Sequence, residues 1–171
     1  MRIAVEEIPE EGLEVDFGPG DPWAVDATRR ALEGEVLALA GHLQVRRVGP
    51  GVLVTGRVAA RVARACDRCL KDVRLAIAGP LSLWYAGLPE HASEQASLTA
   101  DALDVGFLEG GELDLGIALT EHLALEGPTV VRCGDPRVEA VEEGACELAA
   151  PPDESPGEPR FAVLKDLKLD D

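Results

Sequence analysis

The sequence predicts an α+β fold that is rich in β-strand: an antiparallel meander or a partly closed barrel with short peripheral helices. Three runs alternate apolar and polar residues, short turns join these runs, and helical spacing is confined to brief segments. The chain has 171 residues, of which 46% are apolar, and this suits one globular domain with an appendage. We therefore predict a β-rich globular domain over 1–133, an acidic, proline-rich linker over 134–159 and a docking helix of the same domain over 160–171.

The N-terminal half of the chain contains the clearest secondary-structure patterns. Residues 1–17 have weak strand character. An apolar-periodic run follows, with Asp21 as its candidate N-cap and Pro22 at the first helical position, and it predicts a helix over 22–32. Three alternating runs follow, each with its apolar side chains on one face. They span 36–47, 52–62 and 73–85. This pattern predicts three antiparallel strands with one buried face, extended by the N-terminal segment.

The C-terminal half has weaker strand signals and more acidic residues. The sequence is loop-like from 86 to 104, and the apolar positions of 112–126 partly satisfy helical spacing. Residues 134–159 contain eight acids, five prolines and no aromatic residue, which is typical of a poorly ordered segment. A short amphipathic helix is predicted over 160–168. It could dock on the domain through three apolar side chains, Phe161, Leu164 and Leu167.

Charge is divided sharply between the centre of the chain and its ends. The formal net charge is −16, which taken alone argues against nucleic-acid binding because phosphate would be repelled. Residues 29–74, however, contain ten basic and four acidic residues, so their net charge is positive. Arginine suits bidentate contact with phosphate, and the basic residues of the strands and turns are candidates for RNA binding. They are Arg46, Arg47, Arg57, Arg61, Arg64, Arg68, Lys71 and Arg74. The competing interpretation is a sheet face that needs charge for solubility or that binds the chain's own acidic segments.

The tetrapeptide Cys66-Asp-Arg-Cys69 lies between the second and third predicted strands, within a hairpin connection. Two cysteines at this spacing supply half of a tetrahedral zinc site. The candidates for the other half are Cys133 and Cys146, with His42 or His122 as substitutes. A redox dithiol is expected instead at a helix N-terminus near a βαβ unit. Zinc binding, inert thiols and a redox role all remain open.

Sequence signatures of catalysis and of membrane insertion are missing. The chain has no phosphate-binding glycine loop, no nucleophile elbow and no His-Glu-x-x-His. No apolar run approaches the roughly 18 residues of a membrane span, and the N-terminus lacks the apolar segment of a signal peptide. We therefore expect a cytoplasmic protein that is not an enzyme.

Four stretches carry a family resemblance: Val52-Leu-Val-Thr-Gly-Arg-Val, Cys66-Asp-Arg-Cys-Leu70, Glu112-Leu-Asp-Leu115 and Pro159-Arg-Phe-Ala-Val-Leu-Lys-Asp-Leu167. In this order they resemble the YceD family of large ribosomal RNA subunit accumulation proteins, over about residues 34 to 169. The resemblance implies a non-enzymatic bacterial factor needed for normal levels of 23S ribosomal RNA. It also implies genes that often neighbour that of a zinc-binding large-subunit ribosomal protein. Many relatives have further cysteines before the Pro-Arg-Phe element, where this chain has only Cys133 and Cys146.

Three functional hypotheses follow from these observations. The leading one is a ribosome-biogenesis factor whose basic sheet face contacts precursor 23S ribosomal RNA or a large-subunit ribosomal protein, with zinc as a possible cofactor. In the alternative, the acidic regions hold a basic ribosomal protein and the arginines serve the fold. The third is a thiol-disulfide oxidoreductase that uses Cys66 and Cys69.

Overall fold

Long antiparallel strands make up most of the computed structural model, which describes residues 1–87, 105–108, 110–141 and 146. The strands in these ranges are β1 (Arg2–Ala4), β2 (Leu13–Phe17), β3 (Glu35–Val48), β4 (Gly51–Ala65), β5 (Asp72–Gly87), β6 (Val105–Leu108), β7 (Glu112–Asp114) and β8 (Val138–Ala140). The main sheet has the order β2-β3-β4-β5-β6, and β8 pairs with another part of β5. Strands β1 and β7 form a separate two-stranded sheet.

Strands β3, β4 and β5 form the predicted meander, and their register aligns apolar side chains. Leu39 lies opposite Ala60, and Ala60 lies opposite Ile77. All three are buried, whereas the residues that alternate with them are mostly exposed. Strand β2 pairs with β3, so the N-terminal segment extends the sheet as predicted. The three-stranded meander with one buried face is therefore confirmed.

Two helices cover the buried side of the sheet, which we call the inner face. They are helix α1 (Pro22–Leu32) and helix α2 (Leu115–Glu126), which pack against each other. Helix α1 also packs against β3, and helix α2 packs against β5. Helix α1 has the predicted bounds, although the carboxylate of Asp21 accepts from the backbone N–H of Gly18 at 2.9 Å and does not cap the helix. The left-handed residue that ends α1 is Glu33, at φ 51°.

The predicted helix over 112–126 is wrong in its first turn. Residues 112–114 form β7 and pair with β1, and the helix begins after Asp114, whose carboxylate accepts from the N–H groups of Gly116 and Ile117. An N-cap of this kind satisfies free helical amides and fixes the helix start. The apolar spacing continues through the strand, so periodicity alone placed the boundary too early.

Two further strands lie where no strand was predicted. Strand β6 pairs with β5 in parallel, and β8 forms within the segment 134–159. In the described part of the chain, β2 and β6 do not pair with each other, so the meander does not close into a barrel. The predicted helix over 160–168 lies outside the described residues. Among the helices that are described, none is long and apolar enough to cross a membrane.

Candidate metal centre and basic sheet face

The turn between β4 and β5 is built around Cys66. The backbone N–H of Cys66 donates to the carbonyl of Lys71 at 2.9 Å, and the N–H of Leu70 donates to the carbonyl of Cys66 at 2.9 Å. Leu70 adopts a left-handed conformation at φ 62°, which closes the turn. The N–H of Arg68 donates to the sulfur of Cys66 at 3.4 Å. The backbone of this turn therefore points donors at a sulfur, a pattern that favours the thiolate.

All four cysteines converge at this turn. The Sγ atoms of Cys66 and Cys146 are 3.5 Å apart, those of Cys69 and Cys133 are 3.6 Å apart, and those of Cys69 and Cys146 are 3.7 Å apart. All four sulfurs lie within 4.8 Å of one another, and all four cysteines are free. A tetrahedron with Zn–S bonds of about 2.3 Å has sulfur-to-sulfur edges of about 3.8 Å, whereas a disulfide bond is about 2.05 Å long. The cluster therefore has the dimensions of a four-thiolate metal site.

The thiols of Cys66, Cys69 and Cys133 differ in how readily they ionise. Burial disfavours the thiolate of Cys66, but backbone N–H groups of Cys69 and Arg68 donate to its sulfur and lower its pKa to about 6. The backbone N–H of Lys71 lowers the pKa of Cys69 in the same way. Desolvation and the neighbouring sulfurs raise the pKa of Cys133. Because metals bind the thiolate form, a divalent cation in the cluster would displace the proton of Cys133.

Asp67 connects the cysteine turn to the segment that carries Cys133. Its backbone N–H donates to the carbonyl of Val131 at 2.8 Å, and its carboxylate accepts from the N–H of Val131 at 2.6 Å. The guanidinium of Arg64 donates to the same carboxylate at 3.0 Å and to the carbonyl of Leu32 at 3.2 Å. Sequence reasoning missed this role of Asp67. Its place between Cys66 and Cys69 is the one available signal, since no local pattern links it to Val131.

The two histidines weighed as substitute ligands lie away from this cluster of four cysteines. His42 is exposed on β3, and its Nδ1 is 2.8 Å from the carboxylate of Asp16. That hydrogen bond raises the pKa of His42 above its ordinary value. His122 lies on the buried side of α2, where desolvation lowers its pKa. Within the described ranges, the group of potential metal ligands consists of cysteines alone.

Four of the eight basic residues lie on the solvent side of the sheet, which we call the outer face. Residues that pair across neighbouring strands form rows, and buried rows alternate with exposed rows. Arg57 pairs with His42, Arg61 with Ala38 and Arg46 with Leu53, all in exposed rows. Arg74 lies on the same face of β5, with its guanidinium 3.9 Å from the carboxylate of Glu139. Arg46, Arg57 and Arg61 form no ion pair with a carboxylate in the described ranges.

The other four basic candidates lie elsewhere. Arg47 and Arg64 occupy rows of the inner face, opposite Val52 and Val73. Arg68 is exposed in the cysteine turn, and Lys71 is half-buried at its end. The structure thus divides the predicted basic patch between the outer face, the inner rows and the cysteine turn.

These features define a class of protein: a strand-rich α+β domain with a four-cysteine centre at one hairpin turn and a basic outer sheet face. The chain belongs to the family described as large ribosomal RNA subunit accumulation protein YceD, whose profile matches residues 54–168. The matched range contains all four cysteines, Arg57 and Arg61. The family description concerns the accumulation of large-subunit ribosomal RNA and names no reaction.

Relatives of the chain have been found in mycobacteria. Uncharacterized proteins of Mycobacterium bovis and of two strains of Mycobacterium tuberculosis are 34% identical to it over 96 residues. The aligned stretch is 56% of this chain and 44% of each relative, so the chain spans less than half the length of the curated relatives that it matches. No solved structure matches the chain.

Proposed function

We propose that this protein is a non-enzymatic ribosome-biogenesis factor that supports the accumulation or processing of 23S ribosomal RNA by binding precursor RNA through the outer face of its sheet. The observation that carries the proposal is the alignment of Arg46, Arg57 and Arg61 on one exposed face, without carboxylate partners in the described ranges. Guanidinium groups free of internal ion pairs are available to phosphate.

The spacing of the arginines suits an RNA backbone. Arg57 and Arg61 are four residues apart on β4, so their Cα atoms are separated by about 13 Å. Between them lies a row of small side chains, in which Ala59 is flanked by Ala40 and Ala78. Small side chains allow a rigid backbone to approach the sheet between two positive charges.

The composition of these rows favours recognition of phosphate and shape. The three rows from Ala38 to His42 across β4 and β5 contain no Phe, Tyr or Trp, and their one aromatic ring is the imidazole of His42. Trp84 lies further along the outer face, in the row of Arg46, so the surface between Arg57 and Arg61 offers little for base stacking. RNA helices are recognised mainly by shape and by phosphate and 2′-hydroxyl contacts. Carboxylates lie on both sides of the rows that carry Arg57 and Arg61: Glu14 and Asp16 on β2, and Glu139 on β8 beside β5. The positive charge is therefore concentrated at the centre of the sheet.

Zinc is the cofactor that the four-cysteine centre supports best. A closed site of four thiolates is typical of structural zinc and leaves no coordination position for a substrate. Cys66, Cys69, Cys133 and Cys146 would hold the ion and join the β4–β5 turn to the chain after α2. The bound ion would supply structural cross-linking and no chemistry. The Cys66 sulfur lies at a strand end beside three other thiols, which favours this role over a redox dithiol.

Charge reversal on the outer face tests the proposal. The double variant Arg57→Glu and Arg61→Glu should abolish cosedimentation with large-subunit precursors, because two favourable phosphate contacts become repulsive. The matched control is Arg29→Glu with Arg30→Glu, which makes the same change in net charge on exposed positions of α1. Circular dichroism establishes that both variants fold. Unchanged cosedimentation of the sheet variant, or an equal loss in the control, would refute the outer face as the RNA-binding surface.

A further inference from the structure

A small cleft opens on the helical side of the sheet, opposite the outer face. Its floor is the ring of Tyr85, over which Gly106 of β6 lies so closely that a Cβ atom there would come within 2.4 Å of the ring. Phe107 and Ile117 form its apolar walls and are 48% and 45% exposed. We call it the Tyr85 cleft. It encloses about 250 Å³, less than the roughly 300–1,000 Å³ of sites for drug-sized ligands, and this size suits a single side chain.

The Tyr85 cleft is negatively charged. The carboxylates of Glu112, Asp114 and Glu121 line it, and Arg2 is its one basic residue among those described. The guanidinium of Arg2 is already engaged, since it lies 3.3 Å from Asp114 and 3.7 Å from Glu112. Glu121 accepts a hydrogen bond from the hydroxyl of Tyr85 at 3.3 Å and forms no ion pair with a described basic residue. One carboxylate of the cleft is therefore available to an incoming cation.

We infer that the Tyr85 cleft binds a lysine or arginine side chain of a basic polypeptide. Such a side chain has an apolar stem, which Phe107 and Ile117 would cover, and a cationic head, which Glu121 would accept. A purely apolar ligand would leave Glu121 desolvated without compensation, and an anionic ligand would be repelled by Glu121 and by the net negative charge of the cleft. Charge complementarity thus selects one class of partner, a cationic segment of a protein.

The position of the cleft separates this interaction from RNA binding. Tyr85 lies opposite Val52, in an inner-face row, whereas Arg57 and Arg61 lie in outer-face rows of the same sheet. A polypeptide in the Tyr85 cleft and RNA on the outer face would therefore occupy opposite sides of the protein. The inference does not depend on the proposed function, and its test is independent of RNA.

Fluorescence anisotropy with the full-length protein and a labelled synthetic peptide that alternates lysine and glycine tests the inference. Glu121→Gln retains an acceptor for the Tyr85 hydroxyl but removes the charge, and it should weaken binding about fivefold, the upper end for a partly exposed ion pair. The matched control is Glu126→Gln, an exposed position on the same helix outside the cleft. It should weaken binding by less than about twofold, because only long-range screened charge is lost.

A second peptide tests the apolar walls. Replacing each lysine with ornithine keeps the charge but shortens the stem by one methylene, and this peptide should bind more weakly than the lysine peptide. Phe107→Ser, at an exposed wall position, should remove that difference between the two peptides. Equal losses in Glu121→Gln and Glu126→Gln, or equal binding of both peptides to the native protein, would overturn the inference. The outer-face variant Arg57→Glu with Arg61→Glu should bind the lysine peptide at least as tightly as the native protein.

Discussion

The two turns of the meander are made in different ways. The β3–β4 turn consists of consecutive residues, Val48 to Gly51, and its Gly49 has open space around it and a φ of +54°. The β4–β5 turn contains Cys66 and Cys69, whose sulfurs lie within 4.8 Å of those of Cys133 and Cys146, more than sixty residues further along the chain. The first turn is therefore specified by local backbone preferences, whereas the second also contacts distant segments of the chain. Perturbing one turn and measuring the properties of the other tests this difference.

Removal of zinc should have the largest effect, and it should be specific to the β4–β5 turn. Protein prepared without chelator should contain one equivalent of zinc, and Cys66→Ser should lose it. At free zinc a thousandfold above Kd, binding adds about 4 kcal/mol to the free energy of unfolding. Urea denaturation with and without chelator measures this difference, and metal analysis gives the stoichiometry.

The β3–β4 turn supplies the control for this experiment. Pro50→Ala changes an exposed residue of that turn and should retain the full zinc content and its stabilisation. Less than about a tenth of an equivalent of zinc in the native protein, with all four thiols titrating as free, would exclude the metal site.

Loss of the Asp67 carboxylate should have the next largest effect. Asp67→Ala leaves the buried backbone N–H of Val131 without its acceptor, which should cost about 1–3 kcal/mol of unfolding free energy. The same change should weaken zinc binding in a chelator competition, because the segment that carries Cys133 is no longer held to the turn. Asp67→Asn keeps an oxygen acceptor and should lose less in both measurements. If Asp67→Ala changes stability but leaves zinc affinity unaltered, the carboxylate has no part in positioning the cysteines.

Much of the fold could be predicted because its signals are local. The alternation of apolar and polar residues predicted β3, β4 and β5, and a proline at the first helical position predicted the start of α1. The β1–β7 pairing and the parallel pairing of β6 join segments far apart in the chain, and strands of three or four residues are too short for a clear period. Apolar spacing therefore ran through β7 into α2 and hid the boundary at Asp114.

The candidate site was only partly predictable for a related reason. The tetrapeptide identified Cys66 and Cys69, but which other residues meet them depends on long-range folding. Alternation could have assigned Arg64 to the inner face, since it is in step with the buried Val62. There Arg64 contacts the end of α1 and Asp67, so its charge serves the fold. Composition alone treats such a residue as part of a basic patch.

Gly49 should give a smaller effect, confined to the β3–β4 turn. Gly49→Ala introduces a Cβ atom in the left-handed region, which costs about 1–2 kcal/mol, although no atom lies within 4 Å to clash with it. Zinc content should not change. Gly79→Ala, on β5 in open space and without positive φ, is the matched control and should alter stability by less than about 0.5 kcal/mol. A loss of zinc in Gly49→Ala would show that the two turns are coupled through the strands.

The smallest effect is expected from His42, on the outer face of β3 between the two turns. The hydrogen bond to Asp16 raises its pKa above the ordinary 6.5, so the contribution of this pair to stability is full below pH 6.5 and is lost as the pH rises through the raised pKa. His42 lies opposite Arg57, and loss of its positive charge should weaken phosphate binding over the same pH interval. NMR titration of the imidazole measures the pKa, and Asp16→Asn should lower it. A native pKa at or below 6.5 would show that Asp16 does not stabilise the protonated form of His42. His42 would then contribute no positive charge to the outer face at neutral pH.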